Sequence, residues 1–307
     1  MFHMYAIETN GLVKKYGGLP AVDHVNMHIP EGAIYGFVGE NGSGKTTIMR
    51  LISGLAEPTE GTFALFGVGN KDRAIYQKRK EMSAIVEAVS FVPTMTAKEN
   101  MIYQEDYLGI RLTDQERDEL LKKVHLENVG KKKVKNFSLG MRQRLGIALC
   151  LMNKPKFMML DEPMNGLDPQ GIAELRDLLV ELNKTEGITV LISSHILSEL
   201  EKIATHYGFI SHGRLLEELT VEELNEKGRK SLTLSVDDKE KTNACLASLG
   251  LKEFTISPAG EVRIYDDCGI ADVVTALAKA GVKILTIRSN DESVEEYYLN
   301  LVGGHRS

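Results

Sequence analysis

The chain has 307 residues, enough for one large domain and a smaller one. Hydrophobic residues make up 43% and charged residues 26%, which excludes a disordered chain; a net charge of −6 argues against a dedicated nucleic-acid binder, which carries a basic stripe. Three widely separated cysteines, Cys150, Cys245 and Cys268, form no CxxC pair, which argues against a disulfide framework or zinc site and fits a reducing cytosol.

The opening MFHMYAIETN lacks an apolar signal-peptide core, and no stretch approaches the roughly 20 apolar residues that span a bilayer. The expectation is a soluble chain that needs a partner to act at a membrane. AIYGFV (33–38) predicts a short buried strand, and KTTIMRLISGL predicts a helix with Ile48, Met49, Leu51, Ile52 and Leu55 inward. Between them GENGSGKTT (Gly39, Glu40, Asn41, Gly42, Ser43, Gly44, Lys45, Thr46, Thr47) matches G-x-x-x-x-G-K-[ST] in full. Glycines let backbone N–H groups close around phosphates, and the helix N-terminus adds partial positive charge. Lys45 is expected to reach the β and γ phosphates, and the Thr46 hydroxyl to ligate Mg²⁺. The motif alone names a superclass, whether kinase, GTPase, motor or transporter ATPase; no NKxD follows, since Asn183–Lys184 runs into Thr185, so a GTPase is disfavoured and an ATP-binding chain with Mg²⁺ is expected.

Further along, Thr96/Glu99 and Thr113/Glu116 form S/T-x-x-E capping boxes that predict helices over about 97–108 and 114–125, a helical arm. KKKVK (131–135), the densest basic run, reads as solvated loop. NFSLGMRQRLGIALCLM opens a helix where Ser138, Gly140 and the first N–H groups make a second anion site; taken alone it is a capped helix. KFMMLDEP (156–163) is an apolar strand ending in acids: Asp161 would hold Mg²⁺ and Glu162 would polarise the attacking water. MNGLDP carries Asp168, and the strand ITVLISS leads to His195.

From residue 230 the pattern is β-α-β-β-α-β, a ferredoxin-like order: KSLTLSV, a helix after Asp237–Asp238, FTISP and EVRIY joined at Ala259–Gly260, GIADVVTALAKA after Asp266–Asp267, then VKILTIR and a last helix. The Asp pairs read as helix N-caps. No catalytic constellation appears there; packing or dimer support is the plainer role, regulation or partner contact the sharper.

In this order the motifs resemble an ABC (ATP-binding cassette) ATPase over residues 4 to 222, with a helical subdomain at about 88–152 and a separate α+β domain at 230–307. FSLGM departs from the family's LSGGQ at Leu139 and Met141. The resemblance implies an α/β P-loop NTPase in which Tyr16 stacks on adenine, Asp168 is the D-loop acid and His195 contacts the γ-phosphate. It also implies a composite site: Lys45, Asp161 and Glu162 of one chain face Ser138 of a second, read as another copy, with a heterodimer left open. An integral membrane permease would dock near 87–100. Glu87 stands where the family carries a metal-ligating glutamine; a carboxylate there would make closure more Mg²⁺-dependent. IVEA, FVP, FSLGMRQRLGIA and the C-terminal tail together resemble the bacitracin-resistance and lantibiotic-immunity type of exporter ATPase, which leaves the substrate open. An ATPase acting on nucleic acid or ribosomes is the alternative, and a non-hydrolysing sensor is disfavoured because Glu162 and His195 are both present.

Overall fold

The computed structural model describes residues 5–227, 231–266, 268–290 and 294–304, so Asp267 and the first residue of KSLTLSV lie outside the described residues. The chain divides into two compact units, Met1–Val221 and Glu222–Ser307.

The first unit opens with β1 (Tyr5–Tyr16), β2 (Leu19–Val25), β3 (His28–Pro30) and β4 (Ile34–Val38), followed by α1 (Lys45–Ser53), β5 (Glu60–Leu65) and β6 (Val68–Gly69). After α2 (Ile75–Lys78) and β7 (Met82–Ile85) come the arm helices α3 (Ala97–Leu108) and α4 (Asp114–Lys123), then α5 (Leu139–Leu151). The rest is β8 (Phe157–Asp161), α6 (Pro169–Glu186), β9 (Thr189–Ser194), α7 (Leu197–Leu200), β10 (His206–Ser211) and β11 (Arg214–Thr220). One sheet runs β2-β1-β5-β6, with β3 also on β1; the other runs β11-β10-β4-β9-β8-β7. In the second sheet β10, β4, β9, β8 and β7 are parallel, and β11 is an antiparallel edge. β4, β8 and β9 are buried at every residue, as strands covered on both faces must be. Ile48, Met49, Leu51 and Ile52 of α1 pack with residues of both sheets in one core.

Leu55 is a correction: it is 70% exposed. Gly54 takes a left-handed conformation that ends α1 one residue earlier, so Leu55 leaves the helical face. Both capping boxes of the arm are formed, at Thr96/Glu99 and Thr113/Glu116, and the second helix stops at Lys123. Lys131, Lys132 and Lys135 are exposed, as a solvated run should be. Cys150 is buried, and burial pushes its thiol up to about 12, leaving it an inert core residue.

α8 (Val221–Lys227) begins at the last residue of the first unit, and the second unit carries the rest of it with β12 (Ser231–Val236), α9 (Lys239–Ser248), β13 (Phe254–Ile256), β14 (Glu261–Ile264), α10 (Ile270–Lys279), β15 (Ile284–Asn290) and α11 (Val294–Gly304). Its antiparallel sheet runs β13-β14-β12-β15 and packs Leu232, Leu234 and Val236 with Leu246, Val273 and Leu277. Asp238 caps α9, but Asp237 and Asp266 do different work: Asp237 accepts from the Lys283 amide, and Asp266 accepts from the amides of Lys252 and Glu253, tying down a loop. The residue before α10 is Gly269, with no side-chain cap. Among the described residues no helix is long and apolar enough to cross a membrane.

Candidate functional site

The parallel strands β4, β8 and β9 lie side by side, and the segments that follow them carry Lys45, Glu162 and His195, at the carboxyl edge where ligands of open α/β sheets bind. The loop Gly39–Gly44 turns from β4 into α1. Gly44 sits at φ 110, and a Cβ there would lie 2.6 Å from the Ala21 carbonyl oxygen, so only glycine fits. That approach lays the β1–β2 hairpin against the loop. Tyr16, half-exposed on the same hairpin, lies under the Lys14 ammonium, 5.1 Å from its ring centre. Glu40, Asn41 and Gly42 form the crest, with the Ser43 amide donating to the Glu40 carbonyl at 3.1 Å. Thr47 follows in the first turn of α1.

Lys45 is buried; its ammonium donates to the carbonyls of Gly39 at 2.5 Å and Glu40 at 3.2 Å, and lies 3.4 Å from Glu162 Oε1. Thr46 Oγ1 donates to Asp161 Oδ2 at 2.8 Å. The other carboxylate oxygen of Asp161 accepts from Ser193 Oγ at 2.6 Å, and Ser193 Oγ accepts from the Glu162 amide at 2.8 Å. His195 Nδ1 lies 2.8 Å from Glu162 Oε2. The Glu162 carboxylate is therefore gripped from both sides, on a backbone at φ 48 that a non-glycine residue adopts at a cost.

Two residues of this network escaped the sequence reading. Ser193 lies within the quoted SSH, but its role depends on β9 pairing beside Asp161. Glu199 follows on α7, close to the Ser194 hydroxyl. Burial raises its carboxyl above the usual range; the Ser194 hydroxyl, 3.4 Å away, opposes this, and the Glu162 charge adds to it. An acid four residues after the histidine was the available signal.

The second group lies apart. Ser138 caps α5, accepting from the Met141 amide at 3.2 Å, and Asp168 caps α6, accepting from the Gly171 amide at 3.1 Å. With Gly140 they line a concavity of about 450 Å³ whose lining includes none of Lys45, Thr46, Asp161 or Glu162. Glu87, at φ 67 beyond β7, is ion-paired with Arg50 of α1 and 60% exposed; among the described residues nothing joins it to Thr46 or Asp161.

The site suits a nucleoside triphosphate with a hard cation. Ser43 Oγ and Glu162 Oε1 are buried without a hydrogen-bond partner, and Thr46 and Asp161 offer adjacent oxygen donors of the kind Mg²⁺ prefers. Among the described residues no cluster of three or more acids, histidines or cysteines could hold a metal.

Residues 22–165 match the ABC transporter family. The bacitracin transport ATP-binding protein of Bacillus licheniformis is 39% identical over 304 residues, covering 97% of each chain. The chain belongs to the ATP-binding proteins of ABC transporters. This cassette is an ATPase, the subunit that binds and hydrolyses ATP for a transporter. A lantibiotic transport ATP-binding protein of Streptococcus pyogenes is 42% identical to it over 212 residues, covering 69% of this chain and 90% of the relative. An ATP-binding cassette solved as a dimer in a post-hydrolysis state with ADP and Pi matches with a TM-score of 0.62 and 26% identity, over 70% of this chain and 98% of that one. These relatives carry transport names and do not favour the nucleic-acid or ribosome alternative.

Proposed function

We propose that the cassette powers export of a small molecule or peptide, of the peptide-antibiotic class named for its relatives, through a separate integral membrane permease. Two copies close on ATP, each supplying one half of each hydrolytic site. The observation that carries this reading is the separation just described: Lys45, Thr46, Asp161 and Glu162 form one group, and Ser138, Gly140 and Asp168 line another concavity of the same unit. One chain does not close its own site, whereas a second copy turned to face it completes both.

In that closed pair the loop amides and Lys45 hold the β and γ phosphates, and Tyr16 stacks on the base. Glu162 takes the proton of the attacking water. His195, fixed against Glu162, keeps that carboxylate oriented and its other ring nitrogen available to the γ-phosphate. Thr46 and Asp161 would hold Mg²⁺, which supplies charge neutralisation on the phosphates, and Glu87 would join them on release from Arg50. The permease docks in a groove of about 460 Å³ floored by β7 and walled by Val89, Gln104, Leu108 and Leu149, which would place the cassette on the cytoplasmic face of the membrane.

Glu162→Gln tests the reading: ATP binding persists, turnover falls by orders of magnitude, and dimers accumulate on gel filtration with ATP. Turnover near wild type removes Glu162 as base. Ser138→Arg places a cation in the opposing half-site; normal ATP-driven dimerisation of that variant refutes the shared site.

A further inference from the structure

The Glu222–Ser307 unit holds an open concavity of about 650 Å³, lined by none of the residues assigned to the nucleotide site. On β12, Leu232, Leu234 and Val236 are buried, while Ser231, Thr233 and Ser235 alternate with them onto the opposite face and line the cavity. Antiparallel pairing puts Arg263 on one side of Thr233 and Arg288 on the other. With strands about 4.8 Å apart, the two arginines straddle a central hydroxyl at roughly 10 Å, a span their side chains close easily. Glu261 and Thr286 flank Ser235 in the adjacent row.

The polar groups are unevenly satisfied. Glu261 Oε1 accepts from Arg263 Nε and Nη2, each at 2.9 Å, which neutralises one charge and fixes that guanidinium. Arg288 is exposed and, among the described residues, has neither hydrogen bond nor ion pair; the side-chain hydroxyls of Thr233, Ser235 and Thr286 likewise have no protein partner there. The face thus presents one uncompensated planar cation over a row of hydroxyls, in a cavity of the size small-molecule sites use. A cation would be repelled and an apolar ligand would strand these donors. A second copy stacked face to face would set guanidiniums against each other.

We propose that this cavity binds a soluble small molecule carrying phosphate or carboxylate groups, an effector site distinct in chemistry from the nucleotide loop. Arg288 grips one oxyanion through its planar fork, and Thr233 and Ser235 donate to it.

The test uses the full chain with its nucleotide loop saturated by a non-hydrolysable ATP analogue and excess Mg²⁺. Hydrogen–deuterium exchange is followed on titration with inorganic pyrophosphate and, separately, with citrate. Exchange should slow saturably in 231–236, 261–264 and 284–288, and whichever probe acts at lower concentration assigns the ligand as phosphate or carboxylate. Arg288→Ala, an exposed substitution that leaves the fold intact, should raise the half-saturating concentration about tenfold or more, with Arg288→Lys recovering only part. The proposal is overturned if neither anion slows these strands at millimolar concentration, if Arg288→Ala titrates like wild type, or if only vesicles containing phosphatidic acid give protection.

Discussion

Ser193 donates its hydroxyl proton to Asp161 Oδ1 at 2.6 Å and, through the same oxygen, accepts the Glu162 amide at 2.8 Å. One buried hydroxyl on β9 thereby sets the position of both acids at the end of β8. Thr46 completes the arrangement from α1 on the remaining Asp161 oxygen.

Ser193→Ala leaves a buried amide and a buried carboxylate oxygen without a partner, at a cost of about 1–3 kcal/mol. The loss falls on the acids, while Lys45 and the loop amides proposed to grip nucleotide are untouched. Steady-state ATPase assays should show kcat reduced about 10- to 100-fold and KM for ATP changed far less. Ser193→Thr, which keeps the hydroxyl on a β-strand residue, should restore most of kcat. An equal rise in KM, or failure of threonine to rescue, would point to general disruption of the strand.

Glu87 and Arg50 give a prediction about magnesium. Their ion pair is mostly exposed, so releasing Glu87 toward the proposed metal position would cost only up to about 1 kcal/mol. Arg50→Ala should lower the free Mg²⁺ needed for half-maximal ATPase at saturating ATP, by up to about fivefold. Glu87→Gln should raise it, because a carboxylate attracts a dication more strongly than an amide does. Unchanged midpoints in both variants would take Glu87 out of the metal site.

What the sequence disclosed was local. The phosphate loop and both capping boxes depend on residues a few positions apart, and each was placed from its own spacing. The acids Asp161 and Glu162 were legible because an all-apolar strand runs into them. Ser193 was not, because its task arises from the register of two strands about thirty residues apart. The Glu87–Arg50 pair joins α1 to the chain beyond β7, and nothing in either segment announces it. Asp266 misled for a related reason: it precedes a helix, as a cap would, but its carboxylate satisfies amides of the preceding loop across the sheet edge.

Acid titration should expose the first capping box of the arm. The Glu99 carboxylate accepts the Thr96 amide at 2.6 Å and lies 3.0 Å from Lys133 Nζ. The amide bond is the main reason its pKa drops from 4.5 to about 2. A pKa lower in the folded than in the unfolded state means the contribution is fully present above about pH 4.5 and disappears as pH falls through about 2. Thermal melts across that window should show wild type losing its advantage over Glu99→Gln as pH drops. A constant difference between the two from pH 4.5 to 2 would discard the assignment.

The arm itself is pinned by a charge pair out of water. Arg117 of α4 donates from Nε and Nη2 to the two oxygens of Glu105 on α3, at 2.7 and 3.0 Å, and from Nη1 to Asp114 at 2.8 Å. Glu105 is 1% exposed and Arg117 9%. Losing Arg117 strands the buried Glu105 carboxylate, whereas on loss of Glu105 the arginine would keep Asp114, so Arg117→Ala should destabilise the chain by about 3–5 kcal/mol, read from denaturant midpoints at constant m-value. Replacing both, as Glu105→Leu with Arg117→Met, removes the two desolvated charges together and should return most of that loss. The pairing also fixes how α4 lies against α3, so the double variant discriminates between two jobs. If it is stable yet its ATPase no longer responds to the permease, the ion pair serves the geometry of the arm; if stability and coupling recover together, packing alone sufficed.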